Sequence, residues 1–449
     1  MNRYLLAIFA LPFVCVLTSS AQPLSAPSTL PAPSPEPMPP AGAVPPPVGI
    51  PAQVAEVVPN PPAVQYVPGD GVTVSMLNNT STLKLFGNFS TLGVASTTWP
   101  FPAGNPLFLL PRPASGNSTN TFDLHARQTA FGAAFSGPEV LGFTPGATFL
   151  AFIQNDNLTS DAYGFLPFNA FGELRNEGWR FVAGLTSDVF NPVNPTVIPL
   201  VKLYTSGNTG SFAGSVRAER FYRPSEALQL TAQFALRESV ASVVTDNRRL
   251  LEDNGWPNVE ARLAAGLGEV QARAGGRKVR PVEVGVSGVV GQLRNSRLFT
   301  APFDQEPVLR SVIDVWGLGA DVQAAVTDRF GVAAEVFVGQ GLGEYNGQIG
   351  QSFNGTTLGA VRGAGGFGEA YFYFTDKLHL HAGYGIDAPV RRDLGPAQVA
   401  RNQTYFANLV WDASKVLQFS FEVDYRKTDY VALRDADGVV FVTQMLLRF

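Results

Sequence analysis

Apolar and polar residues alternate with a period of two along most of the chain after residue 70. In Leu378–Ile386, apolar residues occupy the even positions, and polar residues or glycine occupy the odd ones. The segments Leu228–Phe234, Leu417–Tyr425 and Val439–Phe449 alternate in the same way. Because successive side chains of a β-strand point to opposite faces, the pattern predicts many strands with one apolar face and one polar face.

Short polar turns and long loops separate these segments. The turns are Arg175–Gly178, Pro224–Ala227, Thr327–Phe330, Thr375–Lys377 and Asp412–Lys415. The loops are Thr97–Asn120, Val189–Asn208, Ser242–Trp256, Ser296–Val308, Leu342–Gly363 and Ala388–Ala400. Short turns at one rim and long loops at the other are typical of outer-membrane barrels. We therefore predict an all-β fold, a transmembrane antiparallel β-barrel of roughly sixteen strands.

The predicted strands are spread over the whole chain after residue 70. They begin near Leu83, Phe122, Ala147, Phe168, Trp179, Phe212, Leu228, Val259, Val282, Val312, Val332, Phe367, Leu378, Tyr405, Leu417 and Val439. An even number of strands returns both ends of the barrel to the same side of the membrane, which we expect to be the periplasmic side.

The N-terminus has a different pattern. A short basic region, an apolar core and the small residues Ser19–Ala21 predict a signal peptide at residues 1–21. Residues 22–70 are dominated by Pro, Ala and Val, so we predict a disordered, Pro-rich periplasmic linker with extended backbone. Residues 71–449 are the predicted outer-membrane β-barrel domain. The only Cys is Cys15, so the mature chain lacks thiols if cleavage follows Ala21.

Composition excludes several classes of protein. Only 15% of the 449 residues are charged, which is too few to cover several soluble domains. Beyond the N-terminus, no apolar run is long enough for a membrane-spanning helix. The formal net charge of −4 gives no indication of nucleic-acid binding. The predicted location is the outer membrane of a Gram-negative-type bacterium, with lipid as a partner.

The chain ends in an aromatic residue, Phe449. Outer-membrane barrels commonly end their last strand in this way, and the barrel insertion machinery reads the terminal residue. We therefore predict that Phe449 is a membrane-insertion signal and that the insertion machinery is a partner.

Strand parity predicts which charged residues line the lumen. The basic residues on the predicted inward rows include His125, Arg127, Arg180, Arg217, Arg237 and Arg262. The acidic residues of the opposing wall are Asp321, Glu335, Glu369 and Glu422. Unpaired arginines would favour anions, since guanidinium groups bind carboxylates in bidentate fashion. In the alternative interpretation, these arginines pair with neighbouring carboxylates and brace the wall.

The loop after the fifth predicted strand is apolar and rich in proline. It includes Phe190, Asn191, Asn194 and Lys202. Folding into the lumen would bury its apolar groups and narrow the channel, so we predict a constriction loop. Packing against a neighbouring subunit and an outward position are the alternatives.

Four segments resemble strands of the DcaP-like outer-membrane porins. Leu124–Gly132 is similar to the His-Ala-Arg-Gln motif of that family, and Arg180–Phe190 resembles the strand that leads to its constriction loop. Trp316–Ala320 and Val338–Tyr345 resemble further strands of the family. The resemblance implies a homotrimeric porin of sixteen strands for small, preferably anionic solutes, with Arg127 as the motif arginine. The Pro-rich linker stands where the family tends to have a helical coiled coil.

The sequence contains no recognisable catalytic motif. Its histidines are His125, His379 and His381, all on predicted lumen rows. His379 and His381 share one face of a strand and could chelate a metal, but no third ligand is evident, so we interpret them as polar lining groups. We therefore predict a non-enzymatic protein without a metal or cofactor. The predicted function is passive diffusion of small hydrophilic solutes, favouring anions such as carboxylates; the alternative is a structural or adhesive barrel anchored through its linker.

Overall fold

The computed structural model describes residues 71–76, 80–116, 119–155, 161–239, 256–274, 278–297 and 308–449. The predicted signal peptide and linker, and most of the predicted loops Ser242–Trp256 and Ser296–Val308, lie outside these ranges. No helix in the described part of the chain is long and apolar enough to cross a membrane.

The described residues form strands joined by loops and three short 3-10 helices. The strands are β1 (Val72–Met76), β2 (Ser81–Ser96), β3 (Pro100–Phe101), β4 (Phe108–Leu109), β5 (Thr121–His125), β6 (Ala130–Ser136), β7 (Thr144–Gln154), β8 (Tyr163–Arg175), β9 (Trp179–Ser187), β10 (Phe212–Ser225), β11 (Leu228–Arg237), β12 (Asn258–Leu267), β13 (Gln271–Ala272), β14 (Lys278–Val279), β15 (Val282–Arg297), β16 (Val308–Ala324), β17 (Phe330–Gln340), β18 (Arg362–Tyr373), β19 (Leu378–Pro389), β20 (Val399–Asp412), β21 (Leu417–Tyr430) and β22 (Ala436–Arg448). The 3-10 helices are Leu342–Tyr345, Gln348–Gly350 and Arg391–Asp393.

The large sheet closes on itself into a barrel. Consecutive barrel strands are antiparallel neighbours, and β22 pairs with β2 from Asn88↔Arg448 to Ser96↔Val440. Because β5 and β6 both pair with the same edge of β2, they act as one interrupted strand, and the closed barrel has 16 strands. Strand β1 pairs with residues 81–85 of β2, on the same edge of β2 that β22 occupies from residue 88 onward. The predicted barrel is confirmed.

The wall has an apolar outer face and a polar inner face. On β21, Phe421, Val423 and Tyr425 are exposed on the outside, while Glu422 and Asp424 between them are buried on the inside. An outward apolar band with an inward polar face is the arrangement that lets a barrel span a membrane. The period-two pattern of the sequence is therefore the pattern of lipid-facing and lumen-facing residues.

The second barrel strand is interrupted where the sequence predicts continuity. Residues 126–129 leave the sheet in a turn, in which Thr129 N donates a hydrogen bond to Ala126 O at 2.9 Å. The turn separates β5 from β6 and directs Arg127 into the barrel, where it is buried between Asp123 and Asp161. The strand predicted to begin near Phe122 is therefore divided into β5 and β6 by this turn, which places Arg127 between Asp123 and Asp161.

Candidate functional site

The segment between β9 and β10, residues 188–211, lies inside the barrel, and we call it the inner loop. Its apolar side chains are buried against inward-facing residues of distant strands. Ile198 packs against Leu92 of β2 and Val442 of β22, and Leu200 packs against Phe152 of β7. Phe190 belongs to another buried cluster, with inward-facing residues of β15, β16 and β17. An apolar, proline-rich loop is buried here because contact with the wall removes its surface from water.

Four backbone amides of the inner loop each donate a hydrogen bond to a different carboxylate of the wall. The pairs are Val189 N with Glu260 at 2.9 Å, Val193 N with Glu335 at 3.2 Å, Thr196 N with Glu369 at 2.5 Å and Ile198 N with Glu422 at 2.7 Å. A loop without sheet pairing must satisfy its buried amides by other means. Hydrogen bonds to ionised acceptors are among the stronger ones. These four carboxylates therefore fix the path of the inner loop across the lumen.

The predicted acidic wall is thus not an open acidic surface. Glu335, Glu369 and Glu422 are buried beneath the inner loop and accept its amides. Asp321 is bound by Arg262, with 2.6 Å between Arg262 Nη2 and Asp321 Oδ1. The prediction that these four groups face solutes is corrected, because each already has a partner within the protein.

Each of the five predicted arginines lies inside the barrel beside a carboxylate. The pairs are Arg127 with Asp161 at 3.0 Å, Arg180 with Glu173 at 2.6 Å, Arg217 with Glu219 at 2.8 Å, Arg237 with Glu260 at 3.5 Å and Arg262 with Asp321 at 2.6 Å. His125 is also inside, with Nε2 3.1 Å from Gly104 O. The contacts agree with the bracing interpretation, and a cluster of unpaired arginines is not present among these residues.

Inward-facing glycines make room for the inner loop, and the alternation of apolar and polar residues did not predict this role. A Cβ atom at Gly317 would lie 2.8 Å from Phe190 Cζ, and one at Gly319 would lie 1.9 Å from Asn191 Oδ1. Both glycines belong to the segment Trp316–Ala320 that carries the family resemblance. Glycines at alternate, inward positions of a strand are a signal that another backbone approaches closely.

Two further segments cover the inner loop from the side of the long loops. Leu107 and Ile349 pack with Tyr204 of the inner loop. Tyr345 packs against Phe190, and its hydroxyl donates a hydrogen bond to Glu260 at 2.8 Å. The inner loop is therefore held between the wall and these two segments.

Part of the wall keeps contact with solvent inside the barrel. We call it the open wall, and its inward-facing, partly exposed side chains are Thr148, Asn169, Glu173, Arg180, Gln229 and Thr231. The covered wall comprises the buried side chains that contact the inner loop or the segments over it, namely Glu260, Glu335, Glu369, Thr404, Asn408 and Glu422. The open wall lies on β7, β8, β9 and β11, so the remaining lumen is displaced to one side of the barrel.

In and beside the open wall, near the short turns that join β8, β9 and β10, positive charges outnumber negative ones. Arg175 lies opposite Arg180 in the β8–β9 register, and Arg223 donates a hydrogen bond to Gln229 at 2.9 Å. Four guanidinium groups therefore lie on β8–β10, those of Arg175, Arg180, Arg217 and Arg223. The carboxylates among them are Glu173 and Glu219. Arg280 and Glu177 also act on Arg223, with opposite effects, so the group as a whole keeps two positive charges in excess although most of the arginines are paired.

The inner loop contributes one further cation, Lys202. Its Nζ donates a hydrogen bond to Val197 O at 2.6 Å, and its side chain remains partly exposed. Burial lowers the pKa of Lys202 to about 8, although Glu422 and Glu369 nearby oppose this shift. Asn194, also predicted for this loop, accepts a hydrogen bond from Asn208 at 3.0 Å. The loop cation therefore changes its charge within an accessible pH range.

The terminal residue closes the seam of the barrel. Phe449 exchanges backbone hydrogen bonds with Gly87, at 3.0 and 3.1 Å. Its ring faces outward and contacts Phe89, with 5.5 Å between the centroids. This position is accessible from the lipid side; its role as an insertion signal stays a prediction.

The closed sheet, the polar lumen and the inner loop together define a β-barrel of the porin type. No family model and no curated protein matches the sequence. Among solved structures, the chain is similar to the outer-membrane channel DcaP of Acinetobacter baumannii, with a TM-score of 0.63, 13% identity, and coverage of 84% of this chain and 100% of that one.

Two other barrels are similar at a lower level. The anion-selective porin of Comamonas acidovorans has a TM-score of 0.50 and 10% identity over 82% of this chain and all of its own. OmpT of Vibrio cholerae, an outer-membrane protein, has a TM-score of 0.50 and 9% identity over 84% of this chain and all of its own. At these identities the likeness shows the fold. The DcaP-like porin fold that the sequence motifs implied is therefore confirmed.

Proposed function

We propose that this protein is an outer-membrane porin through which small hydrophilic solutes diffuse passively along the open wall. The observation that carries the proposal is the asymmetry of the lumen. Polar groups at Thr148, Asn169 and Thr231 keep contact with solvent, whereas the covered wall is filled by the inner loop. A barrel of this size has a lumen wider than its own side chains can fill, so the inner loop sets the width of the passage.

Anions, including small carboxylates, are the preferred solutes in this proposal. The support comes from the two excess positive charges near Glu173 and Glu219 and from Lys202 on the inner loop. Pore-lining charge raises the local concentration of the opposite ion. Long loops are extracellular and short turns periplasmic in barrels of this kind, so we expect the excess charge to lie toward the periplasmic end. A homotrimer, which the family resemblance implies, remains a prediction.

Planar-bilayer recording of the purified protein tests the proposal. We expect stepwise conductance and, in a salt gradient, a reversal potential that indicates anion preference. A cation-selective current would contradict the anion preference while leaving the channel in place. A membrane that stays electrically silent, although the protein is folded, would contradict the channel and favour a structural or adhesive barrel.

A further inference from the structure

Three titratable side chains form a hydrogen-bonded chain on the inner face of the wall, and Asp412 extends it through a longer contact. Glu369 Oε1 lies 2.6 Å from His381 Nδ1, and His381 Nε2 lies 2.7 Å from His379 Nδ1. His379 Nε2 lies 3.5 Å from Asp412 Oδ2. Asp412 is at the end of β20 beside a short turn, so the chain runs from the rim of the barrel to its interior.

The number of protons in this chain follows from its chemistry. Ionised carboxylates only accept hydrogen bonds, and a neutral imidazole has one N–H group. Three hydrogen bonds between two carboxylates and two imidazoles therefore need three protons, whereas two neutral rings supply two. With all three bonds made, the chain holds one proton more than two neutral histidines.

Burial and charge favour the same additional proton. The side chains of Glu369 and His381 are 1% and 0% exposed, so an uncompensated carboxylate there is costly. Cations near the chain include Arg448, 3.2 Å from Asp412, and Lys202, which interacts with both Glu422 and Glu369. Because the two carboxylates face only one directly bonded cation, Arg448, a further positive charge within the chain balances them.

Aromatic rings lie beside both histidines. Tyr373 stacks on His379 with 4.6 Å between ring centroids, and Tyr371 lies 5.8 Å from His381. In the described residues, no group of three or more His, Cys, Asp or Glu side chains is arranged to hold a metal ion. The bond between the rings also occupies one nitrogen of each histidine that a metal would need.

We propose that Glu369, His381, His379 and Asp412 form a proton-binding site, and that binding or release of the proton changes how firmly the inner loop is attached to the wall. Glu369 has two functions in this arrangement. Its Oε1 faces His381, and its Oε2 accepts the amide of Thr196 at 2.5 Å. Release of the additional proton leaves the two facing ring nitrogens, which are 2.7 Å apart, with no hydrogen between them, so the rings must separate. This movement displaces Glu369 and weakens the attachment of the loop at Thr196. The effect on current rests on the proposed channel function, whereas the proton site does not.

Substitutions at the two ends of the chain test the proton site directly. In Glu369→Gln, the amide oxygen still accepts Thr196 N–H, while the amide NH₂ donates to His381 and supplies the third proton permanently. Asp412→Asn supplies it from the opposite end. We therefore expect ¹⁵N NMR of histidine-labelled protein, near neutral pH, to show one imidazolium in the pair in the wild type and none in either variant. His125 is identified by comparison with His125→Gln.

Glu335→Gln is the matched control, because Glu335 also accepts inner-loop amides but contacts no histidine in this chain. The control should retain the imidazolium. Two neutral rings in the wild type together with ionised Glu369 and Asp412, which infrared difference spectra against the two end variants would show, would overturn the proton site. Loss of the imidazolium in Glu335→Gln, or its persistence in both end variants, would also overturn it.

Current recordings then test the coupling between the site and the inner loop. Raising the pH until the imidazolium signal disappears should increase open-channel noise in the wild type and in Lys202→Met, but not in Glu369→Gln. Noise that does not change when the proton leaves would overturn the coupling. If no current is seen at all while the imidazolium is present, the channel proposal fails and the proton site stands.

Discussion

The covered wall and the open wall are built from the same kinds of residues but use them differently. In the covered wall, Glu260, Glu369 and Glu422 are almost completely buried and bind loop amides. In the open wall, Glu173 pairs with Arg180, whose side chain is still 21% exposed. Carboxylates therefore hold the loop on one side and leave charged groups in contact with solvent on the other. The position of the inner loop, more than residue type, decides which charges a solute meets.

Removing the inner loop should have the largest effect on this contrast. Asn191 Nδ2 lies 3.0 Å from Thr209 Oγ1, so Gly-Ser can replace residues 192–207 without moving the ends of the loop. We expect conductance to rise several-fold and selectivity to shift toward cations, because Glu335, Glu369 and Glu422 would face the lumen. Single-channel recording measures both effects.

The control for this deletion is a replacement of the exposed turn Val140–Gly142 by Gly-Ser-Gly, which should not change the current. An unchanged conductance in a folded loop deletion would show that the loop does not limit the passage.

The two walls should also differ in their contribution to stability. Glu260→Ala leaves Arg237 buried without its carboxylate and Val189 N without its acceptor, which should cost about 3–5 kcal/mol. Glu173→Ala should cost about 1 kcal/mol or less, since Arg180 remains partly exposed and near Glu219. Urea unfolding of protein reconstituted in lipid vesicles measures the difference. Equal losses of unfolding free energy would remove the distinction between the walls.

Neutralising arginines of the open wall should reduce anion preference without closing the pore. The double substitution Arg175→Gln and Arg180→Gln removes the two excess positive charges, so the reversal potential should move close to that of a non-selective pore. Arg220→Gln is the control, because Arg220 faces outward, over the ring of Trp179 at 4.8 Å. A shift in the control equal to that of the double variant would argue against the open wall as the selective surface.

The smallest expected effect is the pH dependence of Lys202. Its pKa of about 8 in the folded protein is below its ordinary value of 10.5. Anion preference should therefore decline as pH rises through about 8, and Lys202→Met should not show this decline. Because the unfolded chain binds more protons between these two values, Lys202 makes folding more favourable as pH rises from about 8 to 10.5. A decline that persists unchanged in Lys202→Met would assign it to another group.

The barrel itself could be predicted from the sequence because the alternation of apolar and polar residues within a strand is enough to identify its two faces. The sixteen predicted strand starts fall within or next to barrel strands, and the outward row of Val439–Phe449 has the predicted orientation. Parity also placed Arg180, Arg217 and Glu422 on the inner face.

The partner that each inward-facing charged residue contacts could not be predicted in the same way. Whether Glu369 faces a solute or Thr196 depends on a contact between residues 173 positions apart. The turn at residues 126–129 that reorients Arg127 likewise depends on Asp161 on another part of the chain. The inward glycines Gly317 and Gly319 were a local signal for the path of the loop, but in a period-two pattern glycine is neither apolar nor polar, so the pattern alone does not reveal this signal.

Accessibility to a thiol reagent during current recording tests the central claim most directly, because the predicted mature chain has no cysteine. Thr231→Cys places a thiol on the open wall, and Thr404→Cys places one on the covered wall, where Thr404 Oγ1 donates to Ser206 Oγ of the inner loop at 3.0 Å. A charged methanethiosulfonate should reduce the current through Thr231→Cys and leave the current through Thr404→Cys unchanged. Block of Thr404→Cys with no effect on Thr231→Cys would place the passage on the other side of the lumen and contradict the account.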